Sequence, residues 1–244
     1  IGGPGAVFWM WISALLGMCT KFSEVVLAVH FRETNADGEL VGGPMYYIKN
    51  GLKKHWHWLA YLFSMFGVLT VFGTGNATQV NTITTAIDSA LYNYHLLPES
   101  FAPKLNLILG IVLAALIALI LIGGIKRIGQ VTEKLVPFMA AIYILLAIGV
   151  VVINLKAIPS VFGAIFEGAF NPSAVTGGAV GSFFMSMKKG VSRGIFSNEA
   201  GLGTGSIAHA CADTRKPVKQ GFFGIFEVFV DTIVICTLTA LVIL

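Results

Sequence analysis

The residues with the clearest chemical potential in this 244-residue sequence interrupt an apolar stretch toward its C-terminal end. Residues 194–206 contain four glycines and five polar or charged side chains. Each glycine destabilises a continuous helix by about 1 kcal/mol relative to alanine. Within a membrane, unwound backbone is tolerated only where protein buries it or where it lines a cavity. The pattern therefore predicts two half-helices joined by irregular backbone near residues 197–203, whose free carbonyl and N–H groups suit the binding of an ion or a polar solute.

A glycine-rich packing helix is the alternative interpretation of this segment, because small residues also let helices approach closely. Ser197, Asn198 and Glu199 directly precede most of the glycines and favour a binding role, since ionisable groups inside a membrane are costly and usually functional. One turn earlier, Arg193 suits either an ion pair with Glu199 or a position at the membrane interface.

Two further sets of polar residues lie in apolar stretches. Asn76 and Gln79 are three residues apart and share a helical face. Their amides suit the ammonium and carboxylate of an amino acid, or hydrogen bonds between helices. Glu227 and Asp231 are four residues apart, with Thr232 adjacent, and suit either a bound cation or a structural ion pair.

The other reactive residue types show no recognisable site. Lys21 and Glu24 are three residues apart, and we expect them to form a structural salt bridge. The three cysteines and five histidines have no metal-ligand spacing. Nucleotide-binding, hydrolase and metalloprotease motifs are absent from the sequence, so we expect neither an enzyme nor a cofactor. Transport by this chain would then be driven by an ion gradient rather than by ATP.

The composition indicates a protein that has lipid as its solvent. Hydrophobic residues make up 56% of the chain and charged residues 11%, whereas a soluble domain carries about 25% charged residues. The formal net charge of +4 is small and the basic residues are spread among loops. They therefore indicate membrane topology rather than a nucleic-acid surface.

Six stretches reach the roughly 20 mostly apolar residues that a membrane-spanning helix needs. They are residues 6–29, 58–91, 105–124, 135–155, 177–210 with an interruption, and 221–244. We expect them to form one all-α membrane domain over residues 1–244, with the long second span tilted or projecting from the bilayer. The loops after the odd-numbered spans hold ten Lys and Arg residues and the loops after the second and fourth hold two, so the positive-inside rule places the former in the cytoplasm.

Three motifs resemble the alanine or glycine:cation symporter family. They are residues 2–17 (GGPGAVFWMWISALLG), 42–48 (GGPMYYI) and 194–203 (GIFSNEAGLG). The similarity runs along the whole chain and implies inward transport of alanine or glycine with sodium. It also implies a leucine-transporter-like fold of two inverted five-helix repeats, in which the first and sixth helices are broken at mid-membrane.

The resemblance further implies a partial chain. The six spans would correspond to the second to seventh helices of the family, so the interrupted span matches the sixth and half of the binding site lies outside this chain. We expect a multi-pass protein of the plasma membrane, or of the inner membrane if the cell is Gram-negative. A proton-coupled amino-acid carrier or an inverted-repeat carrier for another small solute is the alternative, and a channel or an intramembrane enzyme is a more distant one.

The expected binding residues follow from this scheme. A zwitterionic substrate needs acceptors for its ammonium and donors or a cation for its carboxylate, and half-helix ends supply both. We expect substrate contacts from Asn76, Gln79, Ile195, Phe196, Ser197, Asn198, Gly201 and Thr204. We expect sodium, as the coupling ion, at Ser197, Asn198, Asp231 and Thr232. The partners are then a small neutral amino acid, sodium and the bilayer, without nucleic acid.

The charge asymmetry yields a labelling prediction. Single cysteines replace Glu39 or Glu99 in the full-length protein, after substitution of its native cysteines, which include Cys19, Cys211 and Cys236. Because Glu39 follows the first span and Glu99 the second, a membrane-impermeant maleimide added outside the cell should label position 99 and not position 39. Labelling at position 39 without labelling at position 99 would reverse the orientation.

Overall fold

The computed structural model of the chain describes residues 2–73, 76–96, 98–170 and 179–244, and these are predominantly helical. The helices are α1 (Gly5–His30), α2 (Pro44–Gly51), α3 (Trp58–Thr70), α4 (Asn76–Asn93), α5 (Ala102–Leu121), α6 (Gly124–Ile153), α7 (Ile158–Phe170), α8 (Ala179–Asn198), α9 (Thr204–Ala210), α10 (Pro217–Val228) and α11 (Cys236–Ile243). Two short strands, β1 (Glu33–Thr34) and β2 (Leu40–Val41), pair antiparallel between α1 and α2.

Four helical stretches of the described chain are long and apolar enough to cross a membrane. They are Gly5–His30, Ala102–Leu121, Lys126–Ile153 and Pro217–Ile243. They coincide, within a few residues at most ends and nine at the start of the fourth, with the first, third, fourth and sixth spans expected from the sequence. The predominantly helical, multi-pass character of the chain is therefore confirmed, and α7 is a further helix that the sequence did not predict.

The single long helix expected over residues 58–91 is not what the structure shows. α3 ends at Thr70, turns follow at Val71–Gly73, and α4 begins at Asn76. Residues 74 and 75 of the expected span lie outside the described residues. The division has a local cause, because Gly73 lowers helix stability and α4 is rich in Thr and Asn, which form helices less readily than alanine or leucine.

Two compact units divide the chain, one formed by Ile1–Ala60 with Met139–Leu244 and the other by Tyr61–Phe138. In the second unit α4 packs against α5, and the Asn106 amide donates a hydrogen bond of 3.0 Å to Asp88 Oδ2. The apolar side chains of α5 are largely exposed within the chain, as expected of a helix solvated by lipid or by further protein.

In the first unit, α1 is the central helix and packs against α2, α7, α8, α9 and α10. Small residues set its close approach to α8. A Cβ atom on Gly190 would lie 2.3 Å from the Ala6 carbonyl oxygen, and one on Gly194 would lie 3.1 Å from Ser13 Oγ. Because lipid gives little hydrophobic drive for helix association, this close packing is a main source of cohesion between the two helices.

The last expected span contains a departure from α-helical geometry. Between α10 and α11 the residues Phe229–Ile235 form a π-helical segment, which includes Asp231 and Thr232. Insertions of this kind are rare and occur mostly at functional positions. The segment contacts α1 and α8, so it places its polar residues beside the interrupted helix.

Candidate ion and substrate site at the interrupted helix

The helical stretch expected over residues 177–210 is interrupted in the structure. α8 ends at Asn198 and α9 begins at Thr204. Between them Glu199, Gly201 and Gly203 have φ angles of 55°, 90° and 78°. Glycine adopts these φ values without steric cost, whereas the Cβ atom of Glu199 makes a positive φ unfavourable. The break expected near residues 197–203 is therefore present and starts two residues later, while residues 177 and 178 lie outside the described part.

Protein groups already bind two of the N–H groups that the break exposes. The N–H of Ala200 donates to the Asn198 side-chain oxygen at 3.0 Å. The N–H of Gly201 donates to Glu24 Oε2, on α1, at 3.2 Å. The unwound backbone is thus held in a defined shape by a side chain from another helix. The N–H of Gly201 is occupied by this contact and is not a free donor.

Four side chains form what is called here the polar cluster: Ser197, Asn198, Asp231 and Thr232. The Ser197 hydroxyl donates to Asp231 Oδ1 at 3.0 Å, and the Asn198 amide donates to Thr232 Oγ1 at 3.0 Å. The Thr232 hydroxyl in turn donates to Asp231 Oδ2 at 2.9 Å. Asn198 and Thr232 are buried. The structure therefore brings together all four residues that were expected to bind the ion.

The two carboxylates of the last span have different partners. Glu227 lies 3.2 Å from the Lys21 ammonium and 2.7 Å from His209 Nε2. Asp231 accepts hydrogen bonds from two hydroxyl groups and forms no salt bridge with a basic side chain of the described chain. Glu227 is consequently part of an ion pair, and Asp231 is the carboxylate whose negative charge suits a bound cation.

The salt bridge expected between Lys21 and Glu24 is wrong. Lys21 is fully buried, pairs with Glu227, and donates a hydrogen bond of 3.2 Å to the carbonyl oxygen of Asn198. Glu24 turns instead to the N–H of Gly201. A signal for this arrangement exists in the sequence, because Ala14, Gly17, Lys21, Val25 and Ala28 recur at helical spacing on the buried face of α1.

The remaining expected residues are more exposed. Ile195 and Phe196 are 37% and 45% exposed. The Thr204 hydroxyl donates to Glu199 Oε2 at 2.6 Å, and Glu199 forms no salt bridge with Arg193 in the part of the chain that is described. The substrate contacts of these residues stay a prediction.

Asn76 and Gln79 lie at the start of α4 in the other unit, and both are exposed. The Asn76 amide lies 3.4 Å from the Val71 carbonyl oxygen, across the turn between α3 and α4. Their part in the binding site also stays a prediction.

Comparison with known proteins identifies the chain. A family model described as "Sodium:alanine symporter family" matches residues 1–244. The chain belongs to this family. Its members are transporters rather than enzymes.

Curated relatives in the sodium:alanine symporter family align with nearly the whole length of this chain. "Sodium/alanine symporter AgcS" of Methanococcus maripaludis is 44% identical over 244 residues, which are 99% of this chain and 51% of that protein. "Probable sodium/glutamine symporter GlnT" of Bacillus subtilis is 40% identical, with 100% of this chain and 48% of that protein covered. "Putative sodium/proton-dependent alanine carrier protein YrbD" of the same organism is 39% identical, with 100% and 47% covered. The chain spans about half the length of these relatives.

The C-terminal end of α9 is fixed by Arg32, which the sequence did not single out. Its guanidinium donates to the carbonyl oxygens of Ala210 at 2.9 Å and Ala212 at 2.8 Å, and also to that of Thr214. Carbonyls at a helix end have no partner within the helix, so this planar group supplies what the helix lacks. The second half of the interrupted helix is thereby attached to the segment that follows α1.

That segment is itself ordered by charge. Lys49 Nζ lies 2.9 Å from Glu33 Oε1, and the Asn50 amide donates to the same oxygen at 2.8 Å. These hydrogen bonds, that from Lys49 first, lower the pKa of the Glu33 carboxyl. Glu33 therefore loses its negative charge only at a lower pH than an ordinary glutamate does.

Substitution of Arg32 should loosen the end of α9. In full-length Arg32→Gln, loss of the carbonyl contacts should speed amide hydrogen exchange at residues 210–214 by about tenfold, because local opening sets the rate. Hydrogen exchange read by mass spectrometry measures this. The matched control is Arg215→Gln, which neutralises an exposed arginine nearby. Equal exchange in the two variants would show that the guanidinium does not hold the helix end.

Proposed function

We propose that the complete protein is a secondary active transporter that carries a small neutral amino acid, alanine or glycine, into the cell together with sodium. The observation that carries the proposal is the polar cluster, where Ser197 bonds to Asp231 and Asn198 bonds to Thr232 directly beside a helix break. The interrupted helix also supports a leucine-transporter-like fold. The protein would then act in the plasma membrane, or in the inner membrane of a Gram-negative cell.

The chemistry of the polar cluster suits sodium. A small hard cation prefers oxygen ligands, and the cluster offers a carboxylate from Asp231 and hydroxyls from Ser197 and Thr232. Both hydroxyls donate to the carboxylate in the structure. Rotation about their C–O bonds would turn oxygen lone pairs toward an ion, while the ion replaces the two donors and neutralises the negative charge.

Coupling follows if the substrate carboxylate binds beside this sodium ion. Each ligand then stabilises the other, and thermodynamic linkage requires that each raises the affinity of the other by the same factor. Carbonyls at the end of α8, near Phe196 and Ser197, would accept hydrogen bonds from the substrate ammonium. The substrate contacts expected of Asn76 and Gln79 from the sequence are part of the same proposal.

Relatives named for alanine support the choice of a small neutral substrate. A proton-coupled carrier is the second candidate, because a histidine and a carboxylate are in contact beside the site. His209 lies 2.7 Å from Glu227, and its other ring nitrogen lies 2.9 Å from the Gln220 amide. Alanine binding that depends on pH and not on sodium would favour this candidate.

Two substitutions test the substrate contacts. In the full-length carrier, Asn198→Ala and Gln79→Ala should each weaken alanine binding by more than tenfold, or about 1.4 kcal/mol, because each removes hydrogen-bonding groups from the site. Calorimetric titration of alanine into purified protein at high sodium measures this. Leu69→Ala, at an exposed apolar position of α3, is the control and should bind normally. Unchanged affinity in both test variants would remove these residues from the site.

A separate substitution tests the ion. Asp231→Asn keeps the size of the side chain and removes its charge, so alanine affinity should become nearly independent of sodium, with less than about a twofold difference between high and low sodium. The unmodified carrier should show at least about a tenfold difference. Asp37→Asn, in an exposed turn, is the matched control. A wild-type sodium response in Asp231→Asn would contradict the assignment of the cluster.

A further inference from the structure

We infer that Lys21 is a positioning residue of the proposed sodium site and that it acts through the backbone of Asn198. The inference rests on the proposed function and extends it to a residue outside the polar cluster. Lys21 lies on α1, and its ammonium contacts the end of α8 and the side of α10 at the same time.

The surroundings of Lys21 require a definite geometry. Its side chain is fully buried, with Nζ 3.2 Å from the Asn198 carbonyl oxygen and 3.2 Å from Glu227 Oε1. A buried ammonium is costly unless its hydrogens find acceptors in good positions. The acceptors here are one carboxylate and the last carbonyl of α8, which has no partner within its own helix. The ammonium and the helix end therefore satisfy each other.

Asn198 transmits this contact to the polar cluster. Its backbone carbonyl accepts from Lys21, its amide nitrogen donates to Thr232, and its side-chain oxygen accepts from the N–H of Ala200. The preceding residue is Ser197, which binds Asp231. A shift of the Asn198 carbonyl would rotate this peptide and move both side chains, and binding groups tolerate only about 0.5 Å of such movement.

Lys21 also gives the two carboxylates of the last span different surroundings. Lys21 pairs with Glu227 and not with Asp231. Asp231 therefore faces the polar cluster without a basic partner among the described side chains. Without this ammonium, Glu227 would offer a second carboxylate to any entering cation. The lysine thus helps to set both the geometry and the location of the ion site.

A purely structural ion pair is the competing explanation, and the chain allows a direct comparison. Removing Lys21 alone would leave the negative charge of Glu227 less well compensated, so that a loss of stability would be mixed with a loss of positioning. The double variant Lys21→Met with Glu227→Gln removes both charges at similar volume. If the pair only stabilised the fold, this variant would bind sodium and alanine normally.

Gly205 provides a second, independent variant. A Cβ atom at this position would lie 2.2 Å from Lys21 Nζ and 3.0 Å from its Cε. Gly205→Ala therefore displaces the ammonium while leaving every charge in place. The substitution lies within α9, where alanine favours the helix more than glycine does. Gly163→Ala in α7 is the matched control, because a Cβ atom there meets nothing within 4 Å.

The test measures how much sodium the purified full-length carrier needs for half-maximal alanine binding, together with the melting temperature of each variant. The double variant and Gly205→Ala should each raise the sodium requirement by about tenfold or more, equivalent to ~1.4 kcal/mol. Gly163→Ala should leave it unchanged. The melting temperatures report the structural contribution separately.

Each outcome decides between the explanations. A wild-type sodium requirement in the folded double variant overturns the inference, and if Asp231→Asn still abolishes the sodium response, the proposed function stands without it. If the double variant does not fold, Gly205→Ala alone decides in the same way. If the unmodified carrier binds alanine without regard to sodium, the proposed function fails and the inference fails with it.

Discussion

The hydrogen bonds of Asn198 connect the parts of the site to one another. This residue ends α8, so its carbonyl is free of the helix and accepts from Lys21, while its side chain binds Thr232 and the backbone beyond the break. Three helices are thereby joined at a single buried residue. In a water-soluble protein each such bond would contribute about 1 kcal/mol to stability, but here the alternative is an unsatisfied polar group in an apolar interior. The arrangement is accordingly costly to disrupt at any one point.

The same constraint explains why charged residues surround the break. Unwinding Glu199–Gly203 frees backbone groups that lipid cannot satisfy. Glu24 accepts from one N–H, Lys21 donates to one carbonyl, and Arg32 donates to carbonyls at and beyond the end of α9. The charges of α1 and the segment after it thus stabilise irregular backbone in α8 and α9. Ordinary salt bridges along one helix would not do this.

What could be predicted from the sequence depended on the range of the interactions involved. The interruption after Asn198 was predictable because glycine acts on its own backbone, and the transmembrane character followed from composition. The four residues of the polar cluster were also predictable as polar groups that an apolar environment would force together. The pairing of Lys21 with Glu227 was not, because 206 positions separate them and the nearer Glu24 offered a local partner. The division between α3 and α4 does not follow from the apolar content of residues 58–91, because it depends on the low helix preferences of Gly73 and of the threonines of α4.

The register of the polar cluster shows why two irregular segments lie side by side. Ser197 and Asn198 are consecutive, and they bind Asp231 and Thr232, which are also consecutive. Adjacent residues of an α-helix point about 100° apart, so two regular helices would not present consecutive side chains to each other. Here one pair ends α8 at the break and the other lies in the π-helical segment. The four side chains therefore meet where both helices depart from regular α-helical geometry. A site for a small cation requires that convergence, because its ligands must surround it at short range.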